Sequence, residues 1–207
     1  MDFKKSYTAY VFDLDHTLYD EHEYLFNAYS EISKYLGNCC DFDRDYVYSW
    51  LISTFKEKGR HLIFNDLLSH LKLNHEKLPF IISILRNTRT LSKMNLFPHM
   101  LEMLEDLALS NKQIYILTNG HPDQQRNKVR CINWSGTEQH INIYYANEYA
   151  PKPAPDGLVQ ILKENKLNPA EVVFIGDGKI DETCANAANV DFVFVQELAL
   201  SNAESSL

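Results

Sequence analysis

The sequence holds no Cys-x-x-Cys pair, and its four cysteines, Cys39, Cys40, Cys131 and Cys184, are too few and too scattered for a zinc ribbon or a disulfide framework. They are expected as free thiols in a reducing cytoplasm. Dense basic runs are lacking as well: 20 Lys and Arg stand against 28 Asp and Glu, a formal net charge of −8. That balance disfavours binding driven by a nucleic-acid backbone, and no nucleic-acid partner is expected. No apolar run approaches the roughly 20 residues of a membrane span, so no membrane partner is expected either. The opening residues MDFKKSYTAY carry two lysines but neither an apolar signal core nor a small-residue cleavage site. Internal repeats and low-complexity linkers are missing too, and the polar tail Leu198–Leu207 is expected to fray.

What is present is apolar: 45% of residues are hydrophobic and 12% aromatic, enough to offset the entropy of ordering the chain. At 207 residues there is room for one core, or for a core with a small inserted domain. Tyr7–Phe12 is a short apolar run ending at Asp13, the form of a strand buried on both faces. Gln113–Leu117, Val172–Ile175 and Phe192–Val195 repeat it, and Ile143–Ala146 is a weaker member. Between them, Met100–Leu109, Gln124–Cys131, Pro155–Asn165 and Ile180–Ala188 have helical spacing. The alternation predicts an α/β fold, a parallel sheet covered by helices on both faces.

From about Tyr19 to Leu96 the spacing is helical and no buried-strand run occurs. Leu25, Tyr29, Ile32 and Leu36 form one apolar stripe, and Tyr46, Trp50, Ile52 and Phe55 suggest another. Leu62–Leu71 and Leu78–Leu91 add two helices, the second with Pro79 in its first turn, where a missing N–H costs nothing. A single βα connection rarely needs so many residues. Residues 1–18 and 97–207 are therefore expected to form the α/β core, and 19–96 a small all-helical domain inserted after the first strand.

Four segments carry chemistry, each after a different core strand. Asp13 and Asp15 in Asp-Leu-Asp-His-Thr place two carboxylates at a strand's end, where their mutual repulsion calls for a hard divalent cation. Alone, such a pair reads as a helix cap. Thr118-Asn119-Gly120 offers a hydroxyl, a backbone N–H and a glycine permitting close approach, suited to a phosphoryl oxygen, or simply a turn. Lys152 stands between prolines that restrict its backbone, so it is either a fixed cation or an incidental lysine in a rigid loop. Asp177 lies between Gly176 and Gly178, and Asp181 falls where a helix cap would suit it.

In this order and spacing the segments resemble the four motifs of the haloacid dehalogenase (HAD) superfamily: DLDHT the first, the Thr118 segment the second, Lys152 the third and GDGKID the fourth. The likeness spans nearly the whole chain, and the insert resembles a C1-type cap. The segment TNGHPDQQRNKV is similar to the nucleotidase-like and N-acylneuraminate-9-phosphatase-like branches.

The resemblance implies a Rossmann-like core and Mg2+-dependent hydrolysis of a small phosphorylated metabolite, a nucleoside monophosphate or sugar phosphate. Asp13 would attack phosphorus, and Asp15 would protonate the leaving oxygen and then activate water. Thr118 and Lys152 would hold the phosphoryl charge. Metal ligands would come from Asp13, the Asp15 carbonyl and Asp177, with Asp181 supporting the metal's waters or orienting Lys152. Thr17, Asn119, Gly120 and His121, with Arg60, Arg86 and Arg89 of the insert, are candidates for binding substrate, the arginines reading equally as solvated helix faces. Glu21 and His22 join them as residues following the first motif. Asp15 speaks against carbon–halogen cleavage, because the superfamily's dehalogenases lack that acid. A phosphomutase keeps both aspartates and stays open, as does a catalytically silent binding protein. The insert's size disfavours a protein phosphatase. The expected assembly is a monomer or homodimer.

Overall fold

The structure is a computed structural model describing residues 6–198, so beyond Leu198 the expected fraying of the tail lies outside the described residues. The first strand, β1 (Ala9–Phe12), is wholly buried, as an unbroken apolar run in a parallel sheet should be. There follow α1 (Glu21–Cys40), α2 (Arg44–Lys58), α3 (Ile63–His70) and α4 (Leu78–Asn87). Next come β2 (Met94–Asn95), α5 (Pro98–Leu109), β3 (Gln113–Thr118), α6 (Pro122–Cys131), β4 (Ile132–Asn133) and β5 (Ile141–Tyr145). The chain continues through α7 (Asp156–Glu164), β6 (Val172–Gly176), α8 (Lys179–Ala187) and β7 (Asp191–Phe194).

Five strands form one sheet in the order β5-β3-β1-β6-β7, every pairing parallel. Phe12 sits in register with Ile116 on one side and Ile175 on the other. The strand order reverses beside β1, and open parallel sheets bind ligands at such a point, outside the carboxyl ends of the strands. Alternation along the strands puts Ala9, Val11, Leu117 and Phe174 on one face, packed with Leu158 and Ile161 of α7 and Cys184 and Ala185 of α8. Each large aliphatic side chain so buried contributes about 1.5–3 kcal/mol.

Residues up to Glu21, Met94–Gln125 and those from Ile132 onward make one compact unit; His22–Lys93 and Arg126–Cys131 make the second. The last turns of α6 thus fall in the helical unit, a segment expected in the core. The helical unit has its own core, in which Leu25, Tyr29, Ile32 and Leu36 of α1 meet Val47 and Leu51 of α2, Leu67 of α3 and Ile81 of α4. Asp43 caps α2 by accepting from the Tyr46 N–H at 2.7 Å.

Three sequence expectations need correction in the helical stretch. The buried face of α2 is Val47, Leu51 and Thr54, because its apolar residues surround the helix and do not select a face. Tyr46 is 50% exposed and, with Trp50, stacks on His70. Helix α4 stops at Asn87, where the Thr88 hydroxyl donates to the Ile84 carbonyl, and Leu91 lies beyond it fully in solvent. Met94–Asn95 is a strand, pairing in parallel with β4; two residues are too few to show a period. No helix among the described residues is long and apolar enough to cross a membrane.

Candidate active site

The Asp13 N–H donates to the Ile175 carbonyl at 2.9 Å, extending the β1–β6 ladder one residue so that its side chain leaves the sheet at the β6 end. There the buried Lys152 ammonium lies 2.5 Å from Asp13 Oδ1 and 2.7 Å from Asp181 Oδ1, and it donates to the Leu117 carbonyl at 2.9 Å. Asn119 holds that lysine's backbone at both ends: Nδ2 donates to the Lys152 carbonyl at 2.9 Å and Oδ1 accepts from the Lys152 N–H at 2.8 Å. The Lys152–Pro153 peptide is cis.

Asp181 does not cap α8, whose N-cap is Gly178; it is buried and paired with Lys152. Gly176 makes room for it, since a Cβ built there would fall 2.6 Å from the Asp181 side chain.

Asp15 points elsewhere, its Oδ1 accepting from the Tyr19 hydroxyl at 2.6 Å and its Oδ2 from Gln125 Nε2 at 2.9 Å. The same Gln125 nitrogen donates to Thr118 Oγ1 at 2.6 Å. Gly120, at φ +121, passes close over Gln125 in a conformation that side chains rarely adopt. Neither Gln125 nor Tyr19 stood out as a site residue in the sequence; the signal for the glutamine was the Gln-Gln pair after Thr-Asn-Gly.

Carboxylate oxygens of Asp13, Asp177 and Asp181 lie within 4.8 Å of one another, whereas the Asp15 side chain is outside that group. Burial pushes the Asp13 carboxyl up to about 7, with Asp181 and Asp15 adding to the rise against the opposing Lys152. Asp177 is raised as well, by burial and then by Asp181. The pKa of Lys152 is raised, for although burial opposes its charge, the two aspartates outweigh it. One ammonium thus leaves the carboxylates short of counter-charge, and the hard oxygens gathered here fit a small divalent cation, which would return Asp13 to its ionised form.

Other expected site residues are placed as follows. Thr17 is fully buried, and its hydroxyl has no hydrogen-bond partner among the described residues. The Gly120 N–H donates to Asn147 Oδ1 at 2.9 Å, so this donor and the Asn119 amide already serve the protein. Exposed His121 accepts the Asp123 N–H at 3.3 Å, ordering the start of α6. Buried Glu21 lies 3.5 Å from His16 Nε2. In the helical unit His22 packs on Phe26 and Phe55, and Arg60 is exposed between α2 and α3. Arg86 is half-buried in the last turn of α4, and Arg89 lines a cavity of about 420 Å³ with Lys93 and Arg130.

The sequence model of the haloacid dehalogenase-like hydrolases matches residues 10–195. No curated protein sequence matches the chain. Among solved structures, a HAD-hydrolase of Bacillus subtilis bound to magnesium shares 18% identity at a TM-score of 0.60, over 91% of this chain and 88% of that one. A candidate phosphoglycolate phosphatase of Lactobacillus delbrueckii shares 17% at 0.59, over 92% and 86%. A haloacid dehalogenase-like hydrolase of Bacteroides fragilis shares 23% at 0.57, over 90% and 86%. At such identities the likeness establishes the fold: a Rossmann-like parallel core with helices.

Proposed function

The chain belongs to the haloacid dehalogenase-like hydrolase family, and on that premise we propose that it is a magnesium-dependent phosphomonoesterase acting on a small phosphorylated metabolite. The observation that carries the reading is the placement of Asp13 against Lys152 and Asp181, with Asp15 held two residues on by Tyr19 and Gln125. Asp13 attacks phosphorus and takes the phosphoryl group, splitting one hard displacement into two easier ones. Asp15 gives a proton to the leaving oxygen and later removes one from the attacking water. Lys152 offsets the charge of nucleophile and phosphoryl group, and Thr118 donates to a phosphoryl oxygen. Asp181 orients Lys152. Asp13, Asp177 and the Asp15 carbonyl would hold the magnesium, which when bound neutralises the phosphoryl oxygens.

A nucleoside monophosphate or a sugar phosphate is the proposed substrate, supported by the likeness of TNGHPDQQRNKV to the nucleotidase-like and N-acylneuraminate-9-phosphatase-like branches. Phosphoglycolate, which names the Lactobacillus delbrueckii neighbour, belongs on the same test panel. The helical unit, read as a C1-type cap, is proposed to select the substrate, with Arg60, Arg86 and Arg89 as its candidate anion-binding residues. A cytoplasmic enzyme, monomeric or homodimeric, completes the reading.

Removal of the metal tests it. Excess EDTA should abolish hydrolysis of the panel and magnesium restore it, while calcium restores little, because its larger, looser coordination shell disturbs in-line geometry. Magnesium at about 100 times its Kd should also raise stability by about 2.7 kcal/mol, visible as a higher Tm. Full activity in EDTA, with no effect of magnesium on melting, contradicts the site.

A further inference from the structure

Gln125 is buried, 1% exposed, in the second turn of α6, and its one amide nitrogen joins Asp15 to Thr118. Reversing the amide would set its oxygen against a carboxylate, acceptor against acceptor, so the charge of Asp15 fixes which end faces it. Both amide protons are therefore spent, one on each partner. A hydroxyl has one proton to give, and with Gln125 donating to Thr118 Oγ1 that proton is directed elsewhere. Among the described residues its acceptor is the Asn119 carbonyl, at 3.4 Å, near the limit for a hydrogen bond. A phosphoryl oxygen, acceptor only, would be a better partner. Asp15 meanwhile receives donors on both oxygens, from Gln125 and from Tyr19, and the two together fix the orientation of its carboxylate.

We propose that Gln125 is a positioning residue for this chemistry: a single amide nitrogen holds Asp15 in place for proton transfer and turns the Thr118 hydroxyl into a donor toward the phosphoryl group. The inference rests on the phosphomonoesterase reading. As the bond from Asp13 to phosphorus forms and the ester P–O bond breaks, the leaving oxygen keeps the electron pair and takes the proton of Asp15. Misplacing Asp15 therefore hurts most where the leaving oxygen is strongly basic.

The test compares kcat/KM on ethyl phosphate, whose alkoxide needs that proton, with p-nitrophenyl phosphate, whose phenolate leaves without it. Gln125→Met should lower kcat/KM about 100-fold on the alkyl ester and nearer 10-fold on the aryl ester. Gln125→Glu keeps the shape but presents an oxygen to Asp15, and should lose at least as much. Tyr19→Phe should show the same inequality with smaller losses. Equal losses on both esters in folded Gln125 variants overturn the inference, since a merely structural residue would weaken both alike, and undiminished activity overturns it too. Wild-type protein inactive on both esters and on the metabolite panel overturns the phosphomonoesterase reading itself.

Discussion

Asp13→Asn should reduce turnover by a factor on the order of 10⁴ or more on every phosphomonoester while leaving the protein folded. The amide fills the space of the carboxylate but lacks the charge and the lone-pair basicity needed to attack phosphorus. The fold should tolerate it, because the change thins a group of three crowded carboxylates, Asp13, Asp177 and Asp181. A metal-free Tm equal to or above that of the wild type is the expected companion result. Phosphate release and thermal melting on one preparation check both halves. A folded variant that hydrolyses at a near-normal rate would remove Asp13 from the nucleophile's role.

Lys152→Met should harm both chemistry and fold. Its ammonium is the cation shared by Asp13 and Asp181, and losing it leaves buried carboxylates facing one another. Breaking a buried pair from one side typically costs about 3–5 kcal/mol, a lowering of Tm by roughly 10 °C in a domain of this size. Turnover should fall about 10³-fold, uniformly across substrates, because in the proposed mechanism the lysine meets the nucleophile and the transferring group, which every phosphomonoester shares. Steady-state kinetics on the panel with differential scanning calorimetry measure the two effects. A variant that changes only substrate preference would contradict the placement of Lys152.

The positions of the candidate site's carboxylates and hydroxyl were legible because they are tied to strands. Asp13, Thr118 and Asp177 end or directly follow β1, β3 and β6, whose unbroken apolar runs are strong sequence signals, and parallel pairing in register brings those ends together. Proline flanks likewise marked Lys152. Gln125 was not legible in the same way. The Gln-Gln pair after Thr-Asn-Gly does not say which glutamine is buried or what it meets, and the link from Asp15 to Thr118 exists only once α6 has packed back against two strand ends. The Asn119 amide shows the converse: its position beside Thr118 suggested a substrate contact, yet the fold spends it on the Lys152 backbone 33 residues away. In the helical stretch, the clean stripe of α1 is the face it buries, whereas the apolar residues all round α2 leave its buried face undetermined until packing chooses Val47 and Leu51.

The central claim is that the phosphoryl group passes through Asp13, and the most direct measurement is to trap it there. With p-nitrophenyl phosphate, whose leaving group needs no proton, Asp15→Asn should form the acyl phosphate but break it down slowly, lacking the base that activates water. Quenching that reaction with borohydride reduces an aspartyl-phosphate to homoserine, and peptide mass spectrometry locates the change. The account predicts homoserine at position 13 and at no other aspartate. Release of nitrophenol with Asp13 unmodified, or with the conversion at another residue, would contradict it.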